Sequence, residues 1–168
     1  MNDHLTIHEL EKQPLSDGDI QRLVKTTVVR YPDLKKHSLD DLLKTGSCVI
    51  LFLTKNSHDG HWTCLIDHGS YLEFFCSFGL KPDGHFRWLS PARGRKLDGP
   101  PVLGPMLKAA SNYKPVVYNT FQFQNKALAD CGRHVVARIM HKNLNLDQYK
   151  ALMGSEDPDD WVTAQTDK

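Results

Sequence analysis

The chain has 168 residues, 24% of them charged, and a formal net charge of +1. That length suits one domain with a sizeable core, and the near-neutral balance supplies no global field toward nucleic acid or a membrane surface. No apolar run approaches the roughly 20 residues of a membrane span, and none reads as a signal peptide.

The polar start, Met1 to His4, carries no element signal. Ser16-Asp17-Gly18-Asp19 reads as a helix N-cap with an acidic residue three positions on, and Ile20, Leu23, Val24 and Val28 mark one helical face. That helix is expected to stop by Tyr31-Pro32, because the residue before proline disfavours helix. Ser38-Leu39-Asp40-Asp41 repeats the capping pattern, with Leu39, Leu42 and Leu43 facing inward and Gly46 at the end. Cys48 to Thr54 is a short apolar run rich in β-branched residues and reads as a central strand. After a polar turn from Lys55 to Gly60, His61 to Asp67 reads as a second strand, and Tyr71 to Phe75 as a third. Three strands joined by short turns predict an antiparallel meander.

Phe78 to Pro105 is rich in glycine and proline and reads as a loop with short helical turns, anchored by Trp88. Met106, Leu107 and Ala110 predict a helix ending near Asn112, and Pro115 to Asn119 a further strand. Asn145-Leu146-Asp147-Gln148 caps a last helix bearing Tyr149, Leu152 and Met153. From Ser155 onward the acidic sequence reads as a loosely held tail with Trp161 docked. The expected organisation is a single domain over residues 1–168: a helical part about 16–46, a core about 47–154 and an acidic tail about 155–168.

Cys131 carries the chemistry. Val135, Val136, Ile139 and Met140 recur at the spacing of a buried helical face, which puts Cys131 in the first turn. Gly132 beside it leaves room for another backbone to approach. The positive end of the helix dipole stabilises a thiolate, the form of cysteine that attacks. A small buried apolar cysteine is the alternative. Cys48, Cys64, Cys76 and Cys131 show no close pairing and no CxxC. They read as reduced thiols in a non-secreted compartment, with no metal site and no cofactor. A nucleophilic cysteine needs a base and donors for an oxyanion. His61 starts a core strand after a turn, and Gln122 and Gln124 lie in the loop feeding the cysteine helix.

Taken together, Gly60-His61-Trp62, Glu73 to Gly79, Tyr118-Asn119, Gln122-Phe123-Gln124 and Asp130 to Val135 resemble the adenain-type cysteine proteases. That family occurs in adenoviruses, Polinton/Maverick elements and virophages and is distantly related to the SUMO-specific proteases. The resemblance runs from about Leu34 to Leu152. It implies an α+β fold: a mixed, mainly antiparallel sheet flanked by helices. Residue by residue, it implies Cys131 as nucleophile, His61 as general base and Gln124, seven before the cysteine, as oxyanion donor with the Cys131 N–H. Gln122 lies two residues too far away for that pattern, and Trp62 is placed at the floor of the site, in contact with substrate.

One position departs from the family. Where Asp or Glu usually orients the histidine, this chain has Cys76. Glu73 is three residues away, so on a strand it faces the side opposite to Cys76. Asp67 shares parity with His61 but lies about 20 Å along an extended strand at roughly 3.3 Å per residue. Two readings stay open: a Cys131–His61 dyad with its ring held by Cys76, a water or a carbonyl, or a weakened protein. The resemblance implies a thiolate–imidazolium endopeptidase that matures capsid or core precursor polypeptides, acting in a virion or at a viral assembly site in the host cytoplasm. A protease for ubiquitin-like modifiers and a non-cleaving adaptor are the alternatives. DNA or a peptide is an activator in some relatives, and Arg87, Arg93, Arg95 and Lys96 form the one local basic group noted, otherwise a solvated loop face.

Overall fold

The computed structural model describes residues 6–10, 14–53, 60–88, 98–125 and 128–167, without the side chains of His8, Arg87 and Trp88. Residues Met1 to His4, most of the turn from Lys55, Arg93, Arg95 and Lys96, and the Trp88 and Arg87 side chains therefore lie outside the described residues.

Five strands form one sheet in the order β1-β2-β3-β4-β5: β1 Thr27–Arg30, β2 Ser47–Leu53, β3 Gly60–Asp67, β4 Leu72–Phe75 and β5 Val116–Tyr118. The expected meander is its centre, since β2 pairs antiparallel with β3, and β3 with β4. Both edges are parallel, β1 on β2 and β5 on β4. Every residue of β2 is buried, as a strand covered on both faces requires. The molecule is thus α+β, with a mixed sheet flanked by helices.

Alternation along the strands sorts the core into two layers. Val49, Leu51, Leu53, Trp62, Cys64, Ile66 and Phe75 face one side. There they meet α2 (Asp17–Leu23), α5 (Cys131–Met140), α6 (Leu146–Met153) and α7 (Pro158–Thr166). Cys48, Ile50, Phe52, Leu65, Phe74 and Cys76 face the other. They pack on the 3-10 turn Tyr31–Lys36, α3 (Leu39–Leu42) and α4 (Leu103–Ala110). A short helix, α1 (Ile7–Leu10), precedes them.

The Ser16, Ser38 and Asn145 caps form as expected, each side chain accepting from the backbone N–H three residues on. Some expectations change. The first long helix ends at Leu23, and Val28 belongs to β1, so the part about 16–46 is not wholly helical. The β-branched run Thr26 to Val29 leads into the strand, where Thr27 to Arg30 pair with Cys48 to Leu51, and that tertiary pairing overrides a three-and-four spacing. The helix expected around Met106, Leu107 and Ala110 forms as Leu103–Ala110. Met140, expected on a buried face, is 37% exposed.

The largest change is at the acidic end. Instead of a loose tail, Pro158–Thr166 is a helix whose Trp161, Val162 and Thr163 are buried. Asp157 caps it, accepting from the N–H groups of Asp159 and Asp160, and Pro158 suits the first turn. Trp161 docks as expected, its ring 5.4 Å from His141 and 5.8 Å from Tyr149.

Candidate active site

His61 sits at the start of β3, opposite Phe52 of β2. A Cβ at the preceding Gly60 would lie 1.7 Å from the Phe52 carbonyl oxygen, so only glycine lets the strand begin there. The His61 ring is buried, stacks on Phe78 at 4.9 Å, and brings Nε2 to 3.2 Å from Cys76 Sγ. Burial, helped by His85 and His134, pushes its pKa down to about 3.

Cys76 is held from both sides of its peptide. Its N–H donates to Asn119 Oδ1 at 3.0 Å, and Asn119 Nδ2 donates back to the Cys76 carbonyl at 2.6 Å. Burial pushes its thiol up, offset in part by the backbone N–H groups of Leu80, Phe78 and Gly79 that face the sulfur. Gly79, at φ +75°, permits that turn, and a Cβ there would lie 2.7 Å from the Thr120 carbonyl. The Gly79 N–H itself donates to the Cys76 carbonyl at 2.8 Å.

The two carboxylates weighed as substitutes are elsewhere. Glu73 points to the opposite face, where Arg138 of α5 grips it through Nε at 2.8 Å and Nη2 at 2.6 Å. His68 Nε2 lies 3.0 Å from the same Glu73 side chain. Asp67, at the far end of β3, pairs with Lys114 at 3.1 Å.

Cys131 opens α5, and the backbone N–H groups of Trp62 and Gly132 face its sulfur. Cys131 thus lies against the residue after His61. Cys131 is 8% exposed, and burial pushes its thiol up to about 11, with Asp130 adding to the effect. Burial thus opposes the expected thiolate, against the pull of the helix dipole. The neighbours of Gly132 are side chains rather than a backbone. A Cβ there would lie 3.1 Å from Leu15 Cβ and 3.3 Å from Trp62 Cδ1.

Gln124 is 2% exposed. Ser77 Oγ donates to its Oε1 at 2.6 Å, and its Nε2 donates to the Leu128 carbonyl at 2.8 Å, which turns the amide nitrogen toward the start of α5. Gln122 is engaged otherwise, its Nε2 donating to the Gln124 carbonyl at 2.8 Å. Trp62 donates from its indole to the Leu15 carbonyl at 3.2 Å. It also lines a cleft of about 660 Å³ with Leu15, Val29, Arg30, Lys36 and Leu51.

Sequence reasoning assigned no role to Ser77, Asn119, His134 or Asp159. Ser77 and Asn119 lay inside the quoted motifs; Asp159 was hidden in the supposed tail. Asp130, His134 and Asp159 are buried together, each placing one ligand-type atom within 4.8 Å of the others, an arrangement that could hold a metal ion. His134 Nε2 lies 2.8 Å from Asp159 Oδ1 and 3.5 Å from Asp130 Oδ2. Burial opposes a charge on His134, but the two carboxylates outweigh it and raise its pKa. No helix among the described residues is long and apolar enough to cross a membrane.

No family model matches the chain. It is 35% identical over 149 residues to the uncharacterized protein V9 of Sputnik virophage, covering 83% of each chain. Among solved structures it superposes on the central domain of the uncharacterized Lpg1148 protein from Legionella pneumophila. That match has a TM-score of 0.50 and 15% identity, over 92% of this chain and 94% of that one. The SUMO protease Ulp1 is a more distant match, with a TM-score of 0.40 and 14% identity over 100% of this chain and 88% of that one.

Proposed function

The chain belongs to the family of the Sputnik virophage protein V9, and from that premise we propose that it is a cysteine endopeptidase that cuts capsid or core precursor polypeptides during particle assembly. One observation carries the reading. The sulfur of Cys131, at the head of a buried helix, is faced by the N–H of Trp62, the residue after His61, whose own Nε2 lies 3.2 Å from Cys76 Sγ. The virophage source of the relative supports a viral precursor as substrate and a viral assembly site as location.

In this reading, entry of a polypeptide brings the His61 ring onto the Cys131 thiol, since catalytic hydrogen bonds often tighten only with substrate bound. His61 takes the thiol proton as sulfur attacks the scissile carbonyl carbon. The oxyanion meets a Gln124 Nε2–H and the Cys131 N–H, which is unsatisfied within the first turn of its helix. The imidazolium then gives its proton to the leaving amine, the C–N bond breaks, and a thioester remains. Water, losing a proton to His61, releases the acid and restores the thiol. No cofactor enters these steps.

The test is incubation of purified protein with capsid and core precursors and with a ubiquitin-like fusion, the cut sites read by mass spectrometry. Cleavage of a precursor that is lost in Cys131→Ala supports the proposal; a protein that cuts none of them overturns it. The neutral, buried Cys131 and His61 favour a second reading, a non-cleaving adaptor of the same fold. Labelling of Cys131 by a thiol-reactive peptide probe argues against that alternative.

A further inference from the structure

The C-terminal helix places a carboxylate between the two segments that bear the proposed chemistry. Asp159 Oδ2 accepts from the backbone N–H of Asn125 at 3.0 Å, one residue after Gln124. Its other oxygen lies 2.8 Å from Nε2 of His134, one turn along the helix that Cys131 opens. His134 in turn is 3.5 Å from Asp130, the residue before Cys131. Asp130 is itself the N-cap of α5, but its side chain makes no cap hydrogen bond. Asp159 and His134 are 3% and 0% exposed, so water does not compete for these contacts.

A metal ion is a poorer account of the cluster. Two ligands on one tetrahedral zinc, each about 2.0–2.1 Å from the ion, stand roughly 3.3 Å apart. The 2.8 Å between His134 and Asp159 is instead the length of a charge-assisted hydrogen bond. The groups also titrate as partners. Burial pushes Asp159 up, but His134, Asp130 and the Asn125 N–H outweigh it and hold its carboxyl low. Burial raises Asp130.

We propose that Asp159 is a positioning residue that, through Asn125 and His134, fixes the Gln124 loop against the N-terminus of the cysteine helix. The proposal rests on the endopeptidase reading for its catalytic consequence, but its structural content stands apart from that reading. Asp159 touches no reacting atom. It sets the separation between the oxyanion donor and the nucleophile, a distance to which rate is steeply sensitive.

The experiment compares Asp159→Ala, Asp159→Asn and Asp157→Ala. Asp157→Ala removes the cap of the same helix without touching Asn125 or His134. It is expected to lower Tm by about 2–4 °C and to leave kcat unchanged. Asp159→Ala is expected to lower kcat about 10- to 100-fold with KM within about twofold, and Asp159→Asn, which keeps one acceptor, to fall between. Amide hydrogen exchange at Phe123 to Asn125 and at the first turn of α5 should speed up in Asp159→Ala and not in Asp157→Ala. If Asp159→Ala does not fold, Asp159→Asn carries both readouts. Unchanged exchange there, or a kcat that follows Tm alike in both positions, overturns the proposal. If the wild type cleaves nothing, the endopeptidase reading fails, and exchange still decides whether Asp159 couples the two segments.

Discussion

His61 Nε2 and Cys76 Sγ are 3.2 Å apart, and the sulfur stands where a carboxylate would orient the ring. The backbone N–H groups of Phe78 and Leu80 also favour an ionised group at this position. Cys76→Asp is expected to keep or raise kcat/KM, because a carboxylate accepts those donors and favours the imidazolium. Cys76→Ala removes the contact to Nε2 and should lower kcat about tenfold, at the low end of what a positioned acid–base group contributes. Loss of activity in a folded Cys76→Asp protein would assign the sulfur another purpose.

The resting state makes a pH prediction. With the Cys131 thiol near 11 and His61 near 3, both stay neutral across the physiological range. Alkylation needs thiolate, so its rate at Cys131 should climb about tenfold per pH unit between pH 6 and 9. A preformed thiolate–imidazolium pair would give a plateau over that window. Iodoacetamide kinetics, read at the Cys131 peptide by mass spectrometry, distinguish the two curves.

Gln124→Ala should cost on the order of 10²–10³ in kcat, as for loss of an oxyanion donor. Ser77→Ala frees the amide oxygen that Ser77 Oγ now holds at 2.6 Å. It should produce a smaller loss, about tenfold, in kcat rather than KM. Gln122→Ala should leave kcat within about twofold, since that amide serves the Gln124 carbonyl. An unchanged rate in Gln124→Ala would pass the role to backbone donors. Steady-state kinetics on one peptide substrate read all three.

Arg138 is fully buried and has two contacts on Glu73 and one each on the His141 and Leu144 carbonyls. Removing one partner strands a charge, so Arg138→Ala or Glu73→Ala should each destabilise by about 3–5 kcal/mol. Changing both to apolar residues should recover much of that loss. Urea denaturation of the singles and the double measures it.

The start of the cysteine helix, the three caps and the central strands were legible because each is written in adjacent residues. Asp130-Cys131 precedes an apolar stripe, and Cys48 to Leu53 is uninterrupted. β1 was not legible, since Val24 and Val28 fit helical spacing and only contact with Cys48 to Leu51 selects a strand. The last helix carried a readable signal, Asp157-Pro158 before two acidic residues, that a view of the end as solvated charge passed over. Parity along β4 correctly sent Glu73 away from Cys76, but nothing local could reveal that Arg138 awaits it.

The grip of Arg138 on Glu73 has a mechanical corollary. It ties the C-terminal half of the cysteine helix to the middle of the sheet, while Trp161 and Val162 wedge the final helix over the same core. A rod so fastened does not swing. Room for an incoming polypeptide must come from the segments around Leu15, before α2, and Phe121, between β5 and α5, and the pace of turnover will follow how readily those segments part.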